Sequence, residues 1–307
     1  MPELPEVEVV RAGVAPAVSG AAVSSVTVFD ERSLRRHPGP SEDFVERLVG
    51  ARFVGASRRG KFLWLPIAAA GGAGGPGGTG GTGRASEEAL VVHLGMSGQV
   101  LLRDRSTDDR LTRIRLDIEH PDHGPLRLNF VDQRIFGSMA IDPLVATADV
   151  PLEHVPVQVA HIARDPLDPR FDDARFFGAL RRRKSGIKRA LLDQTLVSGI
   201  GNIYADESLW AARVHHDQPA SSLSGPRART LLAEVRLVLA RALAEGGTSF
   251  DAQYVNVNGA SGYFSHSLNA YGQQGRECPR CGRPIVRVSF MNRGSHLCPF
   301  CQRLRLR

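Results

Sequence analysis

Apolar residues recur at helical spacing near the start of the chain. Pro5 and Glu6 suit the first turn of a helix. Proline has no N–H, but the first turn needs none for intrahelical hydrogen bonds, and the negative charge of glutamate is favourable at the positive end of the helix dipole. The pattern therefore predicts a helix over residues 4–18 with one buried face. Four valines three or four positions apart form that face: Val7, Val10, Val14 and Val18.

Short β-like runs separated by turn residues follow this helix. Many short strands of this kind are typical of a sandwich or barrel-like domain. Residues 71–83 interrupt the pattern with nine glycines, and so many glycines cannot bury a core, which indicates a surface loop. The loop lacks the Gly-Lys-Ser/Thr ending of a phosphate-binding loop. The predicted strands cover residues 23–29, 51–57, 62–67, 90–94, 99–102, 114–118, 126–130 and 138–141.

The second half of the chain has a helical pattern. Residues 142–170 are rich in Pro, Asp and Val, and we interpret them as an interdomain connection. Capping residues and amphipathic spacing then predict helices up to about residue 246. The predicted segments are a helix over 185–194, a turn at 198–201, a helix from that turn to about 212, and a long helix over 224–246.

Composition narrows the choice of partner. The 307 residues include 39 Lys and Arg against 32 Asp and Glu, a formal charge of +7. A basic chain favours nucleic acid or an anionic membrane surface, although many soluble proteins with other roles are also basic. No apolar run approaches the ~18 residues that a membrane span needs, and no signal peptide precedes Pro2. We therefore expect a cytoplasmic location and no membrane partner.

All four cysteines lie near the end of the sequence, in two Cys-x2-Cys pairs with sixteen residues between the pairs. This spacing matches one structural Zn²⁺ held by four thiolates, whereas two disulfides would not suit a cytoplasmic protein. The residues between the pairs fit a hairpin with strands 285–290 and 295–297 and a tip at 292–294. Arg293 at this tip is a candidate for binding a phosphate. The four predicted ligands are Cys278, Cys281, Cys298 and Cys301.

Pro2 and Glu3 allow two interpretations. Pro and Glu are both common at the start of a helix, and this role alone would explain them. Alternatively, removal of Met1 would give Pro2 a free secondary amine, of which roughly a tenth is unprotonated near neutral pH. Such an amine attacks carbonyl-like carbons to give iminium intermediates, and Glu3 beside it is a possible general acid.

Several motifs follow one another along the chain. They are Pro-Glu-Leu-Pro-Glu-Val-Glu at 2–8, Arg-Gly-Lys-Phe at 59–62, His-Leu-Gly-Met-Ser-Gly at 93–98, Asp-Gln-Arg-Ile-Phe-Gly at 132–137, Asp-Gln at 193–194, Gly-Ile-Gly-Asn-Ile-Tyr-Ala at 199–205, and the cysteine-rich segment with Arg293. In this order they resemble the motifs of formamidopyrimidine-DNA glycosylases, over nearly the whole chain apart from the glycine-rich loop. The resemblance implies a hairpin that supplies a catalytic lysine, two loops that insert into DNA, and a helix–two-turns–helix DNA-binding element.

The resemblance implies catalytic roles for four residues. Pro2 would attack the sugar C1′ of the damaged nucleotide and expel the base, while Glu3 would protonate the opening sugar ring. Lys61 would assist proton transfer and contact phosphate in the first elimination, although a lysine beside a strand is commonly only a solvated surface residue. Arg293 would bind phosphate and serve the second elimination.

The same resemblance implies contacts with DNA. Met96, Arg134 and Phe136 would fill the hole left by a flipped base, since apolar and planar groups replace lost stacking. Without the resemblance, Met96 and Phe136 could equally be core residues. The motif at 132–137 departs from the family pattern, with Gln133 where Pro is common and Ile135 where a second Arg is common. The remaining predicted phosphate contacts are Arg183, Lys188 and Asn202.

The predicted fold is α+β and multidomain. A β-sandwich that carries the first helix is the catalytic domain, a helix–two-turns–helix domain binds DNA, and a β-hairpin zinc ribbon follows. Residues 249–271, rich in Gly and Asn, match a lesion-capping loop of the family, with an ordinary linker as the alternative. The predicted boundaries are 1–145 for the sandwich, 146–165 for a linker, 166–272 for the helical domain and 273–307 for the ribbon.

The implied activity is that of a bifunctional DNA glycosylase and abasic-site lyase for oxidised purines. Its partner would be double-stranded DNA containing oxidised bases or abasic sites, bound by a monomer at the nucleoid. The first alternative is an endonuclease VIII-like enzyme for oxidised pyrimidines, against which Leu4 speaks because that branch usually has Gly there. The second is a non-catalytic DNA-binding protein, which the intact Pro2, Glu3 and Lys61 disfavour.

Overall fold

The computed structural model describes residues 2–68, 87–248 and 264–305. The predicted glycine-rich loop at 71–83, residues 249–263 of the predicted lesion-capping loop, and Met1 lie outside the described residues. The described residues form two compact units. The first contains Pro2 and the described part of Glu6–His161, and the second contains residues 3–5, 162–248 and 264–305.

The first unit holds a sheet of antiparallel strands. Alternate residues of its strands are buried, as Ile114, Leu116 and Ile118 are on β7, because successive side chains point to opposite faces. The strands described are β1 Ala22–Val28, β2 Arg52–Phe53, β3 Ser57–Arg59, β4 Phe62–Ala68, β5 Glu88–His93, β6 Gln99–Arg103, β7 Thr112–His120, β8 Gly124–Val131, β9 Ser138–Ala146 and β10 His154–Pro156.

These strands follow one hydrogen-bonded path in the order β10-β9-β5-β4-β2-β1-β7-β8-β6, with β3 paired to β4. The two-residue strand β2 joins the halves of the path, since Arg52 pairs with Ala22 and Phe53 pairs with Ile67. Apolar residues from both halves share one buried core, which confirms the predicted sandwich. The prediction of one continuous strand at 51–57 was wrong, because this segment contains β2 and the first residue of β3 with a break between them.

The predicted first helix is confirmed as α1, Leu4–Val18, and all four valines of its predicted face are buried in the core of the first unit. Two helices were not predicted, α2 Ser41–Leu48 and α3 Asp173–Arg182. Asp172 caps α3 by accepting a hydrogen bond from the Arg175 N–H at 2.9 Å. An aspartate before this short helix was thus the available signal.

The second unit is helical around a separate core. Its other helices are α4 Ile187–Leu191, α5 Asn202–Ala211 and α6 Gly225–Ala244. The predicted helix over 185–194 was too long, because α4 is preceded by Gly186 and only five residues are helical. In α5, eight of the ten residues are buried, so this helix lies inside the second unit. Among the described residues, no helix combines the length and apolar character needed to cross a bilayer.

A hairpin of β11 Val286–Phe290 and β12 Arg293–Leu297 forms the predicted ribbon. Phe290 pairs with Arg293, so the turn consists of Met291 and Asn292. Arg293 is therefore the first residue of β12 rather than the middle of the tip. Part of the segment interpreted as a linker also has regular structure, because β10 pairs with the end of β9.

Candidate functional site

The Glu3 side chain is held by the first turn of α5. Its carboxylate accepts hydrogen bonds from the backbone N–H groups of Gly201 at 2.6 Å, Ile203 at 3.0 Å and Tyr204 at 3.4 Å. These are N–H groups that a helix start leaves without intrahelical partners, and they lie at the positive end of the dipole. Glu3 is only 1% exposed. The carboxylate that precedes α1 is thus fixed by backbone groups almost two hundred residues away in sequence.

Two glycines make this arrangement possible. Gly199 has φ +87°, and its carbonyl accepts a hydrogen bond from the Leu4 N–H at 2.9 Å. A Cβ at Gly199 would lie 2.6 Å from Leu4 Cδ1, and a Cβ at Gly201 would overlap the Glu3 carboxylate carbon. The glycine turn at 198–201 is therefore required by the close approach of residues 3 and 4.

Pro2, which lies next to Glu3 in the chain, is a buried residue of the first unit. Lys61 lies in the same unit at the two-residue turn between β3 and β4, where Arg59 pairs with Phe62. Gly60 adopts the left-handed conformation that such a tight turn needs, with φ +57°. This turn presents Lys61 at the end of a hairpin, as the sequence motif predicted.

His93 is a neighbour of Lys61 that was not singled out from the sequence. Burial and then the positive charges of Arg36, Lys61 and Arg35 lower the pKa of His93 to about 4. Its ring contacts the ring of Phe62 at a centroid distance of 4.8 Å, and its Nδ1 accepts a hydrogen bond from the Gly95 N–H at 3.1 Å. His93 is therefore a neutral imidazole near neutral pH, in the middle of a basic cluster.

The two predicted DNA-inserting loops lie side by side in the first unit. Met96 is 44% exposed and Phe136 is 49% exposed, although both are large apolar residues, and Arg134 is also exposed. A Cβ at Gly95 would overlap the backbone of Phe136, so the two loops are in direct contact. The structure thus brings the three predicted void-filling residues together on one surface and does not place Met96 or Phe136 in the core.

Asp132 braces both loops. Its buried carboxylate accepts hydrogen bonds from the Ser97 hydroxyl at 2.6 Å, the Arg134 N–H at 3.1 Å and the Gly137 N–H at 2.6 Å. Arg35 adds a second brace, because its guanidinium donates to the carbonyls of Ile135, Phe136 and Gly137. Sequence reasoning missed Arg35, since it lies a hundred residues away from the loop that it holds.

Asp206 on α5 binds the ribbon to the helical core. It accepts hydrogen bonds from the Ser295 hydroxyl at 2.9 Å and from the His296 N–H at 2.8 Å. The Lys188 ammonium donates to the same carboxylate at 2.6 Å. The side chain of Lys188 is completely buried, and its ammonium lies 4.8 Å from the centre of the Phe290 ring.

The prediction that Lys188 holds a DNA phosphate is therefore wrong. A fully buried ammonium that is already paired with Asp206 cannot reach a phosphate without breaking that pair. Burial lowers the pKa of Lys188, and the charge of Asp206 opposes that shift. Its role in the structure is to connect α4, α5 and the ribbon.

The other two predicted phosphate contacts lie closer to solvent. The Asn202 amide donates to the Gly294 carbonyl at 3.1 Å, which places the first residue of α5 beside β12, where Arg293 is exposed. Arg183 pairs with Asp193 at 2.7 Å, with 35% of its side chain exposed. A phosphate at Arg183 would therefore compete with Asp193.

The four cysteine sulfurs lie within 4.8 Å of one another. Four sulfurs at 2.3 Å from a tetrahedral Zn²⁺ would be separated by about 3.8 Å, and Cys281 Sγ and Cys298 Sγ are 3.5 Å apart. The Trp210 ring N–H donates to Cys278 Sγ at 3.4 Å, a contact typical of a metal-bound thiolate. The residues present thus fit one structural zinc ion.

Three family models match the chain in succession. They are described as the formamidopyrimidine-DNA glycosylase N-terminal domain at residues 1–139, the formamidopyrimidine-DNA glycosylase H2TH domain at 162–253, and a zinc finger found in FPG and IleRS at 275–304. Together these matches cover most of the sequence.

Relatives and solved structures agree with these models. The chain is 62% identical to a formamidopyrimidine-DNA glycosylase of Leifsonia xyli, over 99% of this chain and 100% of the relative, and 52% identical to one of a Nocardioides species, over 98% and 94%. It is 27% identical to Lactococcus lactis Fpg in a complex with abasic-site DNA, with a TM-score of 0.78 over 98% and 99% of the two chains. A complex of the same Lactococcus protein with DNA that contains N7-benzyl-Fapy-dG matches with a TM-score of 0.79 and 27% identity, over 98% and 100%.

Proposed function

The chain belongs to the formamidopyrimidine-DNA glycosylase family, and from this premise we propose that it excises 8-oxoguanine and formamidopyrimidines from duplex DNA and then cleaves the abasic site by β,δ-elimination. The Lactococcus relative has been crystallised with DNA that contains an abasic site or a formamidopyrimidine. One observation carries the proposal. Glu3 follows Pro2 directly in the chain, and three backbone N–H groups at the start of α5 fix its carboxylate.

The first chemical step uses Pro2 and Glu3. After Met1 is removed, the Pro2 nitrogen attacks C1′ and the N–C1′ bond forms. The base leaves with the electrons of the glycosidic bond and takes up the proton that the Pro2 nitrogen loses. Glu3 gives a proton to the ring oxygen as the C1′–O4′ bond breaks, which leaves an iminium between Pro2 and C1′. The resulting negative carboxylate, held in place by the α5 backbone, then stabilises the positive charge of the iminium.

Lys61 and Arg293 serve the elimination steps. Lys61 assists removal of the C2′ proton, so that the 3′ phosphate leaves, and Arg293 binds phosphate during the second elimination, in which the 5′ phosphate leaves. Hydrolysis of the iminium returns the Pro2 amine. His93 lies in the same cluster as Lys61. Because its buried ring is neutral near neutral pH, it adds no second positive charge that would compete with Lys61 for phosphate.

The exposed loops of the first unit act on the DNA helix. We assign Met96 and Phe136 to the space that a flipped nucleotide leaves, and Arg134 to the base that has lost its partner. Ile135 removes one positive charge that is common in the family. Asn202 and Arg183 contact phosphates, whereas Lys188 supports the ribbon from inside.

The protein acts on double-stranded DNA with one structural Zn²⁺ in the ribbon, which orders the hairpin that carries Arg293. We propose that it acts as a monomer in the cytoplasm, at the nucleoid, where its substrate lies. The boundaries 1–145, 146–165, 166–272 and 273–307 remain our proposal for the domain limits.

Covalent trapping tests the proposed nucleophile. Borohydride should reduce the iminium and leave a stable adduct between residue 2 and a duplex with 8-oxoguanine opposite cytosine. A protein whose N-terminus is blocked by a tag should give no adduct, and equal trapping by the tagged protein would contradict the assignment of Pro2. Absence of any adduct, with intact DNA binding, would favour a non-catalytic protein.

The same assay decides between lesion classes. We expect faster excision of 8-oxoguanine than of an oxidised pyrimidine when each is offered in an otherwise identical duplex. Faster removal of the pyrimidine would identify the endonuclease VIII-like alternative as correct.

A further inference from the structure

A basic cavity lies at the end of α5 that is remote from Glu3. Its volume is about 620 Å³, and no carboxylate is among the residues that line it. We call it the arginine cavity, and its lining residues are Ala212, Arg213, Arg227, Arg280, Phe300, Cys301, Arg303 and Arg305.

Five arginines line this cavity, and none of them forms an ion pair within the described parts of the chain. Arg280 is used internally, since its guanidinium donates to the carbonyls of Trp210 and Ala211 and lies 3.9 Å from the centre of the Trp210 ring. Burial, and then the charge of Arg305, lower the pKa of Arg227. Like charges that converge in this way repel one another unless an anion lies between them.

Arg213 gives an independent sign that these side chains have a use. It follows α5 with φ +55°, in the left-handed conformation where glycine is favoured at the end of a helix. A side chain at such a position costs about 1 kcal/mol relative to glycine. The exposed arginine that stands there points to a function for its guanidinium.

The arginine cavity is separate from the DNA-binding residues already assigned in the second unit. Asn202 and the Gly294 carbonyl meet at the first residue of α5, whereas Ala212 and Arg213 follow its last residue. A helix of ten residues is about 15 Å long, so the cavity lies at the cysteine end of the ribbon and not at the Arg293 end. One phosphate backbone bound at Asn202 and Arg293 therefore leaves the cavity open.

We propose that the arginine cavity binds the phosphodiester backbone of a second DNA segment while the first segment is held at the Arg293 end of the ribbon. Such a site would let the enzyme pass from one stretch of DNA to another without first dissociating. The inference goes beyond the glycosylase reaction, and it requires only that the protein binds DNA.

The charge and its distribution favour nucleic acid over other anions. One or two guanidinium forks would satisfy a single phosphate, whereas five arginines from four separate stretches of chain match several consecutive phosphates. An acidic peptide would also need apolar surface to dock specifically. Phe300 is 38% exposed, but the guanidiniums of Arg283 and Arg303 lie 3.6 Å and 4.8 Å from the centre of its ring, so the apolar surface there is flanked by positive charge.

A capture assay tests the proposal. The zinc-loaded protein is bound to an immobilised duplex with an abasic-site analogue, washed, and offered a short labelled undamaged duplex at low salt. The wild type should retain the labelled duplex. The double variant Arg303→Glu with Arg305→Glu should retain at least about tenfold less of the labelled duplex. The slope of the logarithm of capture affinity against the logarithm of salt concentration should fall by about two units. Excision from a single short duplex should be unchanged.

A matched control separates the cavity from net charge. Arg229→Glu with Arg276→Glu makes the same change in charge at two exposed arginines of the second unit that do not line the cavity. This control should capture the second duplex like the wild type. Arg213→Gly is a further variant that should weaken capture without harming the fold, because glycine suits φ +55°.

Two results would overturn the proposal. Unchanged capture by the Arg303 and Arg305 variant, with normal zinc content, would show that the cavity does not bind DNA. A wild type that captures no second duplex but binds polyglutamate, and loses it in the same variant, would assign the cavity to an acidic peptide instead. Loss of excision alone would concern the proposed reaction and not the cavity.

Discussion

Gly201 has no side chain at the point where Glu3 meets α5, and a Cβ there would overlap the carboxylate. Gly201→Ala should therefore displace Glu3 from its three N–H donors. A displacement of about 1 Å can cost roughly 100-fold in rate, and we expect a loss of this size in single-turnover excision.

Gly178 provides the control for this substitution. It lies inside α3, where an added Cβ would make an ordinary contact of 3.6 Å with a nitrogen of the flexible Arg182 side chain. Gly178→Ala should keep full activity and stabilise the protein by about 0.5–1 kcal/mol, because alanine favours helix. If both variants excise at the wild-type rate, the position of Glu3 does not matter for catalysis.

His93 makes the stability of the first unit depend on pH. Its pKa is about 4 in the folded protein and about 6.5 when unfolded, so the unfolded chain binds more protons between these values. The contribution of His93 to the free energy of unfolding is therefore fully present above pH 6.5, and it is lost as the pH drops towards 4. By pH 4.5 this residue alone should cost roughly 2 kcal/mol, after allowance for partial exposure of the ring.

His93→Asn should remove that dependence while its amide oxygen still accepts from the Gly95 N–H. Urea unfolding of both proteins at pH 7 and pH 4.5 measures the difference, since the carboxylates common to both cancel. An equal loss of stability in the two proteins would show that His93 titrates normally.

At the scale of elements, the loops that carry Met96 and Phe136 depend on Asp132. Both carboxylate oxygens of Asp132 accept hydrogen bonds. Asp132→Asn replaces one of them by an NH₂ group, which would then face the N–H or hydroxyl donor that the oxygen had bound. The change should destabilise the first unit by about 1–3 kcal/mol, because a buried donor is left without its partner. It should also slow excision of a paired lesion more than cleavage of a ready-made abasic site, as Met96→Ala and Phe136→Ala should.

Asp122→Asn is the matched control, since this carboxylate is exposed in the same unit. It should leave melting temperature and both rates unchanged. Equal slowing of excision and abasic-site cleavage by Asp132→Asn would mean that the braced loops do not fill a void.

The elements differ in how far they could be predicted from the sequence. Cysteine spacing, the valine periodicity of α1 and the alternation in β7 are local patterns, and they gave the ribbon, the first helix and the sandwich. The braces at Arg35 and Asp206 depend on partners about ninety to a hundred residues away, which no local pattern encodes. Lys188 was misjudged for the same reason, because only its distant neighbours show that it is buried.

At the scale of the whole molecule, each unit has its own core, and four cysteines of the ribbon lie close enough together to hold one zinc ion. Freshly purified protein should contain about one zinc per chain. Removal of zinc by a chelator, or Cys298→Ser, should unfold the ribbon and weaken DNA binding at least tenfold, while the β-rich unit keeps its melting transition.

Metal analysis and calorimetry measure these two effects, and reloading with zinc should restore DNA binding. Fresh protein without zinc, or full DNA affinity after chelation, would contradict a structural metal site.

The hold of α5 on Glu3 has a consequence during synthesis on the ribosome. Glu3 leaves the exit tunnel early, but the N–H groups that fix it belong to residues 201, 203 and 204. Closing a loop of that length costs about 5 kcal/mol of chain entropy, which only later folding offsets. If Pro2 is the nucleophile that we propose, a nascent chain displays its N-terminal amine long before the neighbouring carboxylate is in place. The ability to cut a sugar–base bond thus arises only when about two thirds of the polypeptide has emerged.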